Sequence, residues 1–195
     1  PNRSSGTYTL TIASGTTLTV SGTLTLDNSD VAFITINTGT IAVQGNVTTT
    51  SEVSTSGSAV IQFTGGNNQT LTVVNLPSGT VTVNKSAGVA TLAANLSVNV
   101  AGQDLTITAG TLDLAGFNLT VNDVLTIGAS GTLQLQGGET ISTIDTITAG
   151  STVIYNGTGS YTTSLAAGNT YSNLTFNGSG GVWEPNATVT VSSAL

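Results

Sequence analysis

The sequence predicts an all-β fold wound as a solenoid, and three observations carry that expectation. Threonine supplies 39 of the 195 residues, and threonine with valine, isoleucine and leucine is the composition of a pleated, half-buried surface. Apolar and polar residues alternate with period two along most of the chain, which turns one face of each segment inward and the other to water. Self-similarity at an offset of about 93 residues then favours a stacked architecture over the sandwiches and barrels that share the same strand rhythm. No window carries the 3.6-residue apolar spacing or the Lys, Glu, Gln and Arg content of an exposed helical face, so no helix is expected.

The elements follow from that alternation in chain order. Tyr8-Thr9-Leu10-Thr11-Ile12, Leu18-Thr19-Val20 and Leu24-Thr25-Leu26 open the chain, with Ser14-Gly15 and Ser21-Gly22 between them as turn punctuation. The pattern returns at Leu105-Thr106-Ile107, Leu112-Asp113-Leu114, Leu119-Thr120-Val121, Leu133-Gln134-Leu135 and Val189-Thr190-Val191, broken by Ala109-Gly110, Ser130-Gly131 and Gly180-Gly181. Each run is a short strand, and runs recur every 8 to 12 residues.

The long repeat sets the domain plan. Val81 to Val89 matches Leu174 to Val182, Val60-Ile61 matches Val153-Ile154, and Gly39 to Gly45 matches Gly131 to Gly137 with one residue of slippage. The expectation is one solenoid domain over residues 1–195, built of two repeats at about 10–102 and 103–195. At roughly 20 residues per rung this gives about 9 or 10 rungs and a rod about 45 Å long. Neither end shows a polar cap or a Pro-blocked strand, features that normally cover an open stack. Both ends are therefore expected to continue the stack. Tyr8, Leu10, Ile12, Leu18 and Val20 would form one face of that junction, and Val182, Trp183, Val189, Val191 and Leu195 the other.

Charge and composition exclude several classes. The chain carries 9 acidic and 2 basic residues, Arg3 and Lys85, for a net charge of −7. Phosphate binding needs several cations on one face, so nucleic acid is not an expected partner, and neither is an anionic membrane surface. No segment approaches the length of an apolar span, so membrane insertion is not expected. The start Pro1-Asn2-Arg3-Ser4 reads as a mature or excised piece. Few charges, no Cys or Met and two tryptic cleavage points suit a durable extracellular or surface-displayed material.

The phrases Tyr171 to Gly181, Asn84-Lys85-Ser86-Ala87-Gly88 and Leu105 to Val121 resemble the repetitive Thr/Gly/Asn-rich bacterial surface proteins of the filamentous-haemagglutinin and autotransporter-passenger kind. The resemblance covers nearly the whole chain. It implies a right-handed parallel β-helix, secreted or displayed at the cell surface, with a scaffolding or adhesive role and no catalytic residues to carry over.

Candidate chemistry is sparse. Nucleophilic catalysis needs a base, and the chain has no histidine, no cysteine and one lysine, so no enzyme and no cofactor is expected. Asp27 and Asp30, in Asp27-Asn28-Ser29-Asp30, read first as a solvated Asx turn; the segment is also the best calcium candidate in the chain, although it lacks the turn glycine and distal glutamate of a dedicated loop. Tyr155, Tyr161, Tyr171, Phe176 and Trp183 gather late in the chain, where they would fill the core or make a repeat-to-repeat contact; the alternative is that Tyr155, Tyr161, Tyr171 and Trp183 stack on a glycan. The leading functional expectation is a non-enzymatic extracellular fibre element joined head to tail with copies of itself. The alternative is the repeat stalk of a large secreted adhesin that binds glycans.

Overall fold

The computed structural model of the chain describes residues 7–27 and 33–192. Among these residues there is no helix, and every strand pairing is parallel. The first turn holds β1 (Tyr8–Thr11), β2 (Thr17–Val20) and β3 (Leu24–Leu26), and the second holds β4 (Ile34–Asn37), β5 (Thr40–Val43) and β6 (Val47–Thr49). There follow β7 (Val60–Phe63), β8 (Gln69–Thr72), β9 (Val81–Leu92), β10 (Leu96–Val98), β11 (Leu105–Asp113), β12 (Leu119–Val121) and β13 (Leu125–Leu135). The last turns contain β14 (Thr146–Ile147), β15 (Thr152–Tyr155), β16 (Ser160–Tyr161), β17 (Thr170–Tyr171), β18 (Asn173–Phe176), β19 (Val182–Trp183) and β20 (Thr190–Val191).

Successive turns stack strand on strand, so the fold is a parallel β-solenoid. Along one side the ladder runs β2, β5, β7, then the first halves of β9, β11 and β13, and ends at β14. Along the next side it runs β3, β6, β8, the second halves of β9, β11 and β13, then β15 and β18. The third side is discontinuous. There β1 pairs with β4 and Ile34 bridges to Val53, while further on β10 pairs with β12 and Leu119 bridges to Ile141.

The principal sheet stacks eight strands along its main path, β18-β15-β13-β11-β9-β7-β5-β2. The count falls below the expected 9 or 10 because a turn is longer than 20 residues in places. Thr17 lies over Thr40 and Val81 over Leu105, whereas Thr40 to Val60 and Leu105 to Leu125 keep the short advance.

Corners explain why some expected short strands fuse. Leu105 to Ile107 and Leu112 to Leu114 read as separate runs, yet β11 spans both, and β9 and β13 round the same corner. Gly88 and Gly110 take positive φ there (66° and 75°), a conformation that costs a side-chain-bearing residue. The register shifts between Ile107 and Ala109 where the chain bends.

Inward residues stack on like residues. Leu18, Ile41, Ile61, Val81, Leu105 and Leu125 form one column, and Val20, Val43, Phe63, Val83, Ile107, Ile127 and Ile147 the next. Most of these side chains are fully buried in one continuous core. Outward threonines stack as well, with Thr82, Thr106, Thr126 and Thr146 in register.

The 93-residue self-similarity does not coincide with a whole number of turns. Thr40–Val43 and Val60-Ile61 lie on the side that ends at β14, while their sequence matches at Thr132–Leu135 and Val153-Ile154 lie on the neighbouring side. The offset equals four turns plus one side, so the matched segments face different directions.

Candidate functional site

The residues expected at a stacking junction divide between opposite ends of the coil. At one end Tyr8 and Leu10 lie in β1 and Leu18 and Val20 in β2, strands paired on one side only among the described residues. Leu10 lies over Ile36 and Leu18 over Ile41, both fully buried, yet Leu10 and Leu18 are each 41 % exposed. They top apolar columns with nothing described above them. At the other end Val182 belongs to β19 and Val191 to β20, both exposed, and Val189 is half-buried against the core. Leu195 lies outside the described residues.

Two of the expected junction residues do not serve an end face. Ile12 is buried, packed where the bare Cα of Gly39 passes it. Trp183 turns along the side of the rod, and its Nε1–H donates to the Gln136 carbonyl at 2.8 Å. Conversely, Phe176, expected among the late aromatics but not in the end junction, follows Tyr155 in register and is 46 % exposed, so among the described residues it tops a column as Leu18 does. Its position in the Leu174-Thr175-Phe176 alternation was the available signal.

The late aromatics separate into core and surface. Tyr155 and Tyr171 are fully buried and present no face to a glycan. Their hydroxyls lie 3.2 Å apart, the Ala167 N–H donates to Tyr155 Oη at 2.9 Å, and Tyr171 Oη–H donates to the Gly168 carbonyl. Burial raises both phenol pKa values above the ordinary one. Tyr161 and Trp183 remain half-exposed and stack with centroids 5.9 Å apart and planes 17° from parallel. A glycine bed accommodates them, since a Cβ on Gly137, Gly157 or Gly181 would collide with one ring or the other.

Two buried ionic groups escaped sequence reasoning. Lys85 Nζ is buried and donates to the carbonyls of Thr64 (3.2 Å) and Asn67 (2.8 Å) and to Gln69 Oε1 (2.8 Å). Gln69 in turn donates through Nε2 to the carbonyls of Val43 (2.9 Å) and Gly45 (2.6 Å). Desolvation lowers the Lys85 pKa below its ordinary value. Glu139 is buried too, accepting from the N–H groups of Gln136 (2.7 Å), Gly137 (2.7 Å) and Gly116 (3.0 Å). Both groups satisfy corner backbone that the ladder leaves unpaired.

The calcium pair is not assembled on the described residues. Asp27 follows β3, and Asp30 lies outside the described range. Among the described residues no group of three His, Cys, Asp or Glu side chains is placed to hold a metal, and no helix is long and apolar enough to cross a membrane.

No family model matches the chain, and comparison with curated proteins and with solved structures finds no match.

Proposed function

We propose that this chain is a non-enzymatic rod element of an extracellular fibre, joined end to end with copies of itself by continued rung stacking. One observation carries the reading: at each end of the described coil, exposed apolar residues lie in register with buried ones of the neighbouring turn, with no described strand beyond them. Leu10 and Leu18 are these residues at one end, and Phe176 and Val191 follow buried Tyr155 and Tyr171 at the other. A strand edge with exposed apolar columns is the complement of another such edge. Because the two ends differ, their union is heterologous and open, which generates a filament rather than a closed ring. Extracellular placement is supported by the low charge and by the absence of Cys and Met. The absence of a catalytic role is supported by the lack of His and Cys and by the burial of the single lysine among carbonyl oxygens.

Sedimentation velocity across a wide concentration range tests the proposal. The expected result is a ladder of species that grows with concentration and disappears in Leu18→Lys and Val191→Lys, each of which puts an ammonium on a column top. A single monomeric species at every concentration contradicts it.

A further inference from the structure

The dipeptide Asn-Gly occurs twice in the chain, at Asn156-Gly157 and Asn177-Gly178. The solenoid sets the two pairs at equivalent places on consecutive turns. Tyr155 and Phe176 are in register, and the residue after each makes the same bond to the turn before: Asn156 N–H donates to the Leu135 carbonyl and Asn177 N–H to the Tyr155 carbonyl, both at 2.9 Å.

What differs is the cover. Gly157 is buried beneath the following turn, where a Cβ on either Gly178 or Gly181 would collide with its carbonyl oxygen. The Tyr161 hydroxyl closes another side of Gly157, and Asn156 Oδ1 is shut off from solvent. Asn177 is exposed, and no described strand lies beyond β18 on that side of the coil. The backbone that follows it, Gly178-Ser179-Gly180-Gly181, has three glycines in four residues and bends at little cost.

Asparagine before glycine carries a reaction of its own, because no Cβ keeps the glycine nitrogen from the asparagine side-chain carbon. Water or hydroxide takes the Gly178 amide proton, the nitrogen attacks Asn177 Cγ, and the new N–Cγ bond replaces the Cγ–Nδ2 bond. Nδ2 takes a proton from water and leaves as ammonia. A second water then opens the five-membered imide at either carbonyl, leaving aspartate or isoaspartate. The sum is one amide and one water to one carboxylate and one ammonium, with no oxidant or reductant. We propose that Asn177 is a self-modification site that undergoes this conversion in the folded chain, while Asn156 keeps its amide.

The product sets a carboxylate beside exposed Phe176, on a chain already at a net charge of −7. A charge there opposes the seating of an apolar edge. Where copies stack end to end, the first turn of the next copy covers Asn177 as the 177–181 turn covers Asn156, so the mark is confined to free ends. That confinement rests on the function proposed above; the reaction itself does not.

The test incubates the dilute full chain at mildly alkaline pH, then unfolds it and digests it with chymotrypsin, whose cuts after Tyr155 and Phe176 separate the two pairs. Mass spectrometry with electron-transfer fragmentation reads amide, aspartate and isoaspartate at each. Conversion at Asn177 is expected to run about tenfold or more faster than at Asn156, which waits on local opening of its turn. In urea the two rates converge. Asn177→Gln, which would need a six-membered ring, keeps its amide. An Asn177 that stays intact in the folded chain while the urea sample converts overturns the proposal, and so does equal conversion of both residues in the folded chain. A parallel incubation at concentrations where sedimentation shows multimers reads the confinement separately. Slowing of Asn177 towards the Asn156 rate supports it, and undiminished conversion within multimers contradicts stacking on this turn.

Discussion

The middle turns and the last turns of this rod solve the same problem by different means. From β7 to β13 both paired sides keep a strand above and below each strand, and Ile61, Val81, Leu105 and Leu125 stack as a fully buried aliphatic column. Beyond β13 one side loses its ladder, and the interior passes from aliphatics to Tyr155 and Tyr171, with Phe176 stacked on Tyr155 at a centroid distance of 5.3 Å. Where the chain repeats its corner, backbone bonds hold each turn to the next. Where it inserts the longer 162–169 segment, tyrosine hydroxyls supply the donors and acceptors that the ladder no longer provides. Regularity therefore belongs to the backbone in one region and to side chains in the other.

The most damaging way to break this contrast is at a close backbone approach. A Cβ on Gly131 would collide with the Ile107 carbonyl oxygen of the turn above. Gly131→Leu is expected to prevent cooperative folding, whereas Gly180→Ala, with open space around it and φ of 76°, costs about 1 kcal/mol. Chemical denaturation of the two variants checks this.

Cavities come next. Ile127 is fully buried between Ile107 and Ile147, and Ile127→Ala is expected to cost about 3–4 kcal/mol. Ile147, half-buried where its column ends at a groove lined also by residues 164–170, should lose about half as much on the same change. Equal losses at the two positions would remove the distinction between closed ladder and open groove.

The smallest effect is a pH dependence that separates the two regions by sign. Tyr155 and Tyr171 have phenols raised above the ordinary 10.0, so the unfolded chain ionises first and stability falls as pH climbs past 10. Lys85 is lowered from 10.5, so between its folded value and 10.5 the unfolded chain binds the proton more tightly and stability rises with pH. In thermal melts across the alkaline range, Tyr171→Phe is expected to flatten the fall and Lys85→Met to remove the rise.

Much of this architecture was legible in the chain. The alternation at Leu18-Thr19-Val20 or Leu133-Gln134-Leu135 identifies inward residues correctly because a pleated strand enforces period two. Which side of the coil a run occupies was not legible. Each side asks for the same three or four alternating residues, so Thr40–Val43 and Thr132–Leu135 match in sequence and face different ways. Corners were illegible for a related reason: nothing in Asn84-Lys85-Ser86-Ala87-Gly88 marks Lys85 as buried, and only the inward register of Gln69 two residues before Leu71 points to a buried polar partner. The burial of Tyr155 and Tyr171 depends on the 162–169 segment folding beneath them, a contact that no local pattern encodes.

The central claim is that rung stacking continues past the end turns. Electron microscopy of the concentrated, purified chain tests it most directly. The account predicts unbranched filaments one solenoid wide, with an axial repeat of about 4.8 Å from strand spacing that runs unbroken through the junctions. Isolated short particles of a single length, with no filaments at any concentration, would contradict it.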